Sequence, residues 1–225
     1  MYLIGIVGRV NQNKEGQDII QVTDAVRRML VEKSNVICIT ILPTDCNNMA
    51  KIKPGEDIVD KKLNFILDKC DAFVLPGGTD FYNFDEYVIN YAIKKDKPLL
   101  AICLGFQTLC SMFAEKRTEH EMVTLIPNDS HCGKPESYQH DVTINEDSYL
   151  YGILEKKIIS VDSTHHYAVN FAIKTLNINA ISTDGIVEGV EYPNKKFIVG
   201  IQWHPEYLMD KNSKKLINCF VNKIK

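Results

Sequence analysis

Apolar positions in the first hundred residues fall into short unbroken runs, separated by stretches in which they recur every three or four places. The runs YLIGIV (2–7), NVICITIL (35–42), DAFVL (71–75) and PLLAI (98–102) are rich in Val, Ile and Leu, as strands covered on both faces should be. Between them, Ile19, Val22, Val26 and Leu30 share one face of a predicted helix, Ile58, Leu63, Ile66 and Leu67 a second, and Val88, Tyr91 and Ala92 a third. Such alternation predicts a parallel sheet wrapped by helices, an architecture that binds ligands beyond the carboxyl ends of its strands.

From about residue 115 the rhythm changes. MVTLI (122–126), HDVTI (140–144), KIISV (157–161), NAIST (179–183), IVEGVEY (186–192) and KFIVGIQ (196–202) follow one another without long helices, which predicts an antiparallel extension and an edge hairpin. The final stretch, SKKLINCFVNKI, puts Leu216, Ile217, Phe220, Val221 and Ile224 on one stripe. That is a helix packed on the sheet with its lysines in solvent. No internal repeat and no Ser/Gly/Pro-rich or charge-rich divider interrupts the pattern, so residues 1–225 are expected to form one domain.

With 45% hydrophobic side chains in 225 residues, the chain can bury a sizeable core. Its 26 basic and 29 acidic residues are spread evenly, which gives no electrostatic footprint for nucleic acid or an anionic membrane. No apolar run is long enough to span a bilayer, and MYLIGIVGRVNQNKEG lacks the basic start and cleavage site of a secretory signal. The seven cysteines (38, 46, 70, 103, 110, 132, 219) include no CxxC pair, and several lie within apolar segments. The expectation is a reduced, cytoplasmic protein.

The chemistry begins at AICLG (101–105), where a buried run meets a helical one. A nucleophile elbow places its reactive residue on a sharp strand-to-helix turn with small residues two before and two after it. Ala101 and Gly105 fill those places around Cys103, and the first amides of the following helix favour negative charge there. Cys110, in phase with Phe106 and Phe113, is expected in the core. A thiolate needs a proton-shuttling base and a group that orients it. In GIQWHPEYL, Pro205 holds His204 extended, which lets Glu206 reach the imidazole. LPGGTD (75–80) follows a strand, and its Gly77 and Gly78 free backbone N–H groups for an oxyanion, with the amide of Leu104 as the second donor. Glycine turn, cysteine elbow and His-Pro-Glu all close apolar runs, and in a parallel sheet those ends share one rim.

Other candidates carry less. The spacing of His131, Cys132 and His140 fits no closed four-ligand zinc pattern and reads as a solvated loop. GIVG near the start lacks the third glycine of a dinucleotide fingerprint and reads as the first strand and its turn, with Gly8 and Arg9 near the same rim. Adjacent His165 and His166 point in opposite directions on an extended segment, which argues against a shared metal. No metal and no cofactor is assigned.

The segment LPGGTDFYNFDEYVINYAIKKDKPLLAICLGFQTL, then THH at 164–166, then EGVEYPNKKFIVGIQWHPE at 188–206 together resemble a class I glutamine amidotransferase domain, in particular its gamma-glutamyl hydrolase branch of the peptidase C26 type. The resemblance covers most of the chain. It implies a flavodoxin-like α/β three-layer sandwich with a mostly parallel sheet and a catalytic triad of Cys103, His204 and Glu206. It also implies an oxyanion hole at Gly78 and Leu104, and substrate contacts at Gly77, Gln107, His165 and His166. The implied reaction is hydrolysis of a small gamma-glutamyl amide through a thioester, releasing glutamate and an amine. The alternatives are a glutaminase subunit feeding ammonia to a synthase partner, and a non-catalytic sensor on the same fold. Family members often dimerise. Where the family commonly has asparagine before the His-His pair and glutamine after it, this chain has Asp162 and Tyr167, a departure that bears on the substrate's tail and leaves the identity of the amine open.

Overall fold

A computed structural model describes residues 1–44, 61–114, 123–127, 130–134, 138–169 and 173–224. In chain order, β1 (Tyr2–Val7) runs into a hairpin of β2 (Arg9–Gln12) and β3 (Asp18–Gln21), followed by α1 (Asp24–Val31) and β4 (Val36–Ile41). Next come α2 (Lys61–Lys69), β5 (Ala72–Leu75), α3 (Asn83–Lys95), β6 (Leu99–Ile102) and α4 (Leu104–Met112). The second half holds β7 (Thr124–Leu125), β8 (Tyr138–Ile144), α5 (Tyr149–Leu154), β9 (Ile158–Asp162), β10 (Tyr167–Ala168), β11 (Asn177–Ser182) and β12 (Val187–Glu191). It closes with β13 (Ile198–Ile201), α6 (Pro205–Leu208) and α7 (Lys211–Asn222).

Nine strands form one sheet in the order β4-β1-β5-β6-β13-β12-β11-β8-β9. The five from β4 to β13 pair in parallel, and every pair beyond β13 is antiparallel. This is the flavodoxin-like three-layer sandwich with its antiparallel extension. The short apolar runs become its middle because alternate side chains of a strand leave opposite faces, and here both faces are covered. Ile4, Ile6, Val74, Leu100, Ile102, Val199 and Ile201 meet Val26, Leu30, Leu216 and Phe220 of α1 and α7 on one side. Phe73, Leu75, Leu99, Ala101 and Ile198 meet Leu63, Leu67, Val88, Phe106 and Leu109 of α2, α3 and α4 on the other.

Two expectations need correction. Ile19 is in β3 and Val22 precedes the helix: α1 begins at Asp24, and Ile19 pairs with Asn11 across a hairpin that turns at Gly16, where φ is 75°. The strand expected at 122–126 is only the two residues of β7, paired with β10 outside the main sheet. Ile58, expected on the second helix, lies outside the described residues, while Leu63 and Leu67 are buried on α2 as expected. No helix among the described residues is long and apolar enough to cross a membrane.

Candidate active site

Strand order brings the chemistry to one rim. β6 and β13 are adjacent and parallel with Ile102 opposite Ile201, so the chain leaves both at the same edge. Cys103 is the first residue past β6, and its N–H donates to the Ile201 carbonyl at 2.9 Å. His204 follows β13. β5 flanks β6 on the other side with Leu75 opposite Ala101, so Pro76, Gly77 and Gly78 emerge beside Cys103.

Cys103 has φ 50° and ψ −105°, a conformation that costs a non-glycine residue about 1–3 kcal/mol and persists only where the surroundings enforce it. The enforcement is close packing of strand on helix. A Cβ on Gly105 would lie 2.4 Å from the Leu75 carbonyl oxygen, so only glycine lets α4 start this near β5.

His204 Nδ1 and Glu206 Oε1 are 2.8 Å apart; the N–H donates to the carboxylate, which leaves Nε2 for the cleft. A Cβ on Gly77 would lie 3.0 Å from His204 Cε1 and 3.5 Å from Cys103 Cβ, so both side chains border the same glycine turn. Burial opposes a charge on His204, but the carboxylate of Glu206 and the sulfur of Cys103 prevail and hold its pKa well above the ordinary imidazole value. The ring of Tyr207 stacks on the imidazole, with centroids 5.1 Å apart.

Arg9 ties the glycine turn in place. Its buried guanidinium donates to the Pro76 carbonyl at 2.6 and 3.1 Å and to the Gly77 carbonyl at 3.2 Å, and forms an ion pair with Asp85 of α3. Burial raises the Asp85 pKa against the opposing pull of Arg9. A Cβ on Gly78 would be 2.8 Å from Leu104 Cδ2, so the glycine turn packs on the first turn of α4, whose N–H groups have no acceptor within the helix. The resulting cleft holds about 260 Å3, and its lining includes Arg9, Gln21, Gly78, Cys103, Thr164 and His204.

Several expected site residues lie elsewhere. Gln107 is buried, and its Nε2 donates to the Tyr167 carbonyl and to Gln202 Oε1, each at 3.0 Å, rather than facing the cleft. His165 and His166 do point apart. His165 is buried with Nδ1 3.0 Å from the Tyr167 carbonyl, and exposed His166 meets the Cys132 sulfur at 3.3 Å. Of this segment it is Thr164 that lines the cleft. Asp162 is buried and its carbonyl accepts the His204 N–H at 3.2 Å, while Tyr167 is exposed. Cys110 is fully buried, and burial pushes its thiol pKa well up, as befits a core residue.

The solvated loop expected at His131, Cys132 and His140 is also corrected. His131 is 2% exposed, and His131, His140 and His165 converge on the buried carboxylate of Glu188. Burial alone would raise the Glu188 pKa, yet the three imidazoles hold it well below the usual carboxylate range. Spacing in the sequence could not find this cluster, because Glu188 joins it from β12 and His165 from the connection between β9 and β10. Arg9 lines the cleft where the sequence placed it, but Val10, Asn11 and Gln21 of β2 and β3, together with Tyr207, were missed: they reach the rim through packing, not through a motif.

The family model for Peptidase C26 matches residues 82–206. Protein NtpR of Enterococcus hirae is 30% identical over 179 residues, which cover 68% of this chain and 74% of that protein. Gamma-glutamyl-gamma-aminobutyrate hydrolase PuuD of Escherichia coli is 31% identical over 171 residues, 64% of this chain and 67% of that one. Among solved structures, the glutaminase domain of Trypanosoma brucei CTPS with bound acivicin covers 100% of this chain at a TM-score of 0.71 and 20% identity, a likeness of fold.

Proposed function

The chain belongs to the Peptidase C26 family, and from that premise we propose that it is a cysteine-dependent hydrolase of a small gamma-glutamyl amide. The observation that carries this reading is the meeting of Cys103 and His204 at the ends of adjacent parallel strands, with Glu206 at 2.8 Å from the imidazole and the glycine turn beside them.

In this reading the Cys103 thiolate adds to the gamma-carbonyl carbon. The negative oxygen formed is met by the N–H groups of Gly78 and Leu104. The imidazolium of His204 gives its Nε2 proton to the departing nitrogen as the C–N bond breaks, which leaves a gamma-glutamyl thioester and a free amine. Water then loses a proton to His204 and attacks the thioester, and glutamate leaves as the sulfur recovers its charge. Glu206 keeps the imidazole in the tautomer that can do both. Arg9 is a positioning residue, since it fixes the carbonyls of the turn whose N–H groups act. PuuD, whose name specifies a gamma-glutamyl amide of gamma-aminobutyrate, supports this substrate class.

The test is glutamate release from a panel of gamma-glutamyl amides by the purified full chain, with free glutamine as one member. We expect turnover of at least one amide larger than glutamine by the chain alone. No turnover of any of them, with glutamine hydrolysed only after a synthase is added, would instead make the chain an ammonia-supplying subunit.

A further inference from the structure

The mechanism uses neither Glu188 nor the three histidines around it, yet they form the least satisfied polar group in the described part of the molecule. His131 Nδ1 lies 3.0 Å from Glu188 Oε1, and His140 Nε2 and His165 Nε2 each lie 3.4 Å from the same oxygen. None of these contacts has hydrogen-bond geometry, so the three ring nitrogens and both Glu188 oxygens are buried without a hydrogen-bond partner. An unpartnered buried charge is among the costliest features a fold can carry. The same strand provides the contrast. Glu191, also buried, accepts from the Tyr149 and Leu150 N–H groups at 2.8 and 3.2 Å and from Asn179 Nδ2 at 3.0 Å.

The protons of two rings are already committed. His131 Nε2 is 2.9 Å from Asp184 Oδ2, and His165 Nδ1 is 3.0 Å from the Tyr167 carbonyl, so each of these nitrogens carries the donated hydrogen. In the neutral form of either ring the other nitrogen turns a lone pair toward the Glu188 carboxylate, an arrangement that repels unless a proton or a metal cation lies between. Bonds of about 2.0–2.1 Å to a tetrahedral ion place neighbouring ligand atoms about 3.3 Å apart, and the ring nitrogens lie 3.0–3.4 Å from Glu188 Oε1. His131, His140 and Glu188 offer atoms all within 4.8 Å of one another.

We propose that His131, His140 and Glu188 bind one divalent transition-metal ion of the zinc class, with His165 beside the shared Glu188 oxygen at 3.4 Å. Neutral imidazoles and one carboxylate suit such an ion better than magnesium or calcium, which take oxygen donors. The carboxylates of Asp184 and Glu188 balance its charge, and the Asp184–His131 pair is the outer support that metal-bound histidines usually have. Buried on nearly all sides and apart from the residues of the mechanism, the ion is structural, and His140, whose side chain is 11% exposed, marks the way in. Its role is to join β8 and β12 to the segments carrying His131 and His165. The His165 segment also holds Thr164 at the cleft.

The experiment uses the full chain, stripped with chelator and then desalted after addition of zinc chloride. Elemental analysis should give close to one zinc per chain, and zinc should raise Tm by about 5–10 °C. His140→Ala, at the most exposed donor, should abolish both effects, as should Glu188→Gln. Should Glu188→Gln fail to fold, cobalt(II) in the wild-type chain decides. Visible d–d bands without a thiolate charge-transfer band support the site, whereas a thiolate band means Cys132 or another cysteine binds and overturns it. Failure to retain zinc, or equal zinc in wild type and His140→Ala, likewise overturns it and leaves the cluster as protonated imidazoles screening Glu188.

Discussion

The cleft rim and the histidine cluster both gather buried titratable groups, but their polar atoms are arranged in opposite ways. At the rim, Arg9 meets two carbonyls and Asp85, and His204 meets Glu206, so each buried charge has a hydrogen-bonded partner and Arg9, Cys103 and His204 line an open cleft. Around Glu188, both carboxylate oxygens and the ring nitrogens that face them are buried without a hydrogen-bond partner. Charges paired beside open space suit a site for something that comes and goes, and a buried cluster short of hydrogen-bond partners suits one for something that stays.

The rim half of this comparison breaks most decisively at the sulfur. Cys103→Ala should lower glutamate release by more than about 10⁴-fold, while Cys110→Ala, changing a thiol with no path to the cleft, should keep near wild-type turnover. Equal losses in folded variants would remove the distinction. Glu206→Gln comes next, with a loss of about 10²- to 10⁴-fold in kcat/KM. It should also move the alkaline limb of the pH profile to lower pH, because burial opposes the charge on His204 and Glu206 is among the groups that hold its proton in place. A limb that stays put would mean another group sets it. The smallest effect sharpens the picture. Gly105→Ala forces a carbon against the Leu75 carbonyl and should cost about 1–3 kcal/mol in denaturant unfolding, the usual range for an overpacked site.

How legible these two regions were in the sequence follows from the same difference. The rim could be read because Cys103, His204 and Gly77 each end an apolar run, and a parallel sheet sends such ends to one edge whatever its exact register. The cluster could not, because His131, His140, His165 and Glu188 come from four separate segments, and the pairing of β8, β11 and β12 that unites them is set by antiparallel register. Glu188, in the alternation VEGVE, reads as a solvent-facing residue, although β12 lies inside the sheet and buries it completely. The β2–β3 hairpin was hidden for a simpler reason: Ile19 and Val22 happen to fall in helical phase with Val26. Gly16, at the end of the polar stretch NKEG, was the available sign of a turn.

The central claim is that Cys103 is the sulfur that takes up the gamma-glutamyl group. Folded chain treated with a diazo ketone analogue of glutamine, then digested and mapped by mass spectrometry, tests it directly. One adduct per chain, on the peptide carrying Cys103 and absent from Glu206→Gln over the same interval, is the result predicted. An adduct on any other cysteine, or none on correctly folded protein, would contradict it.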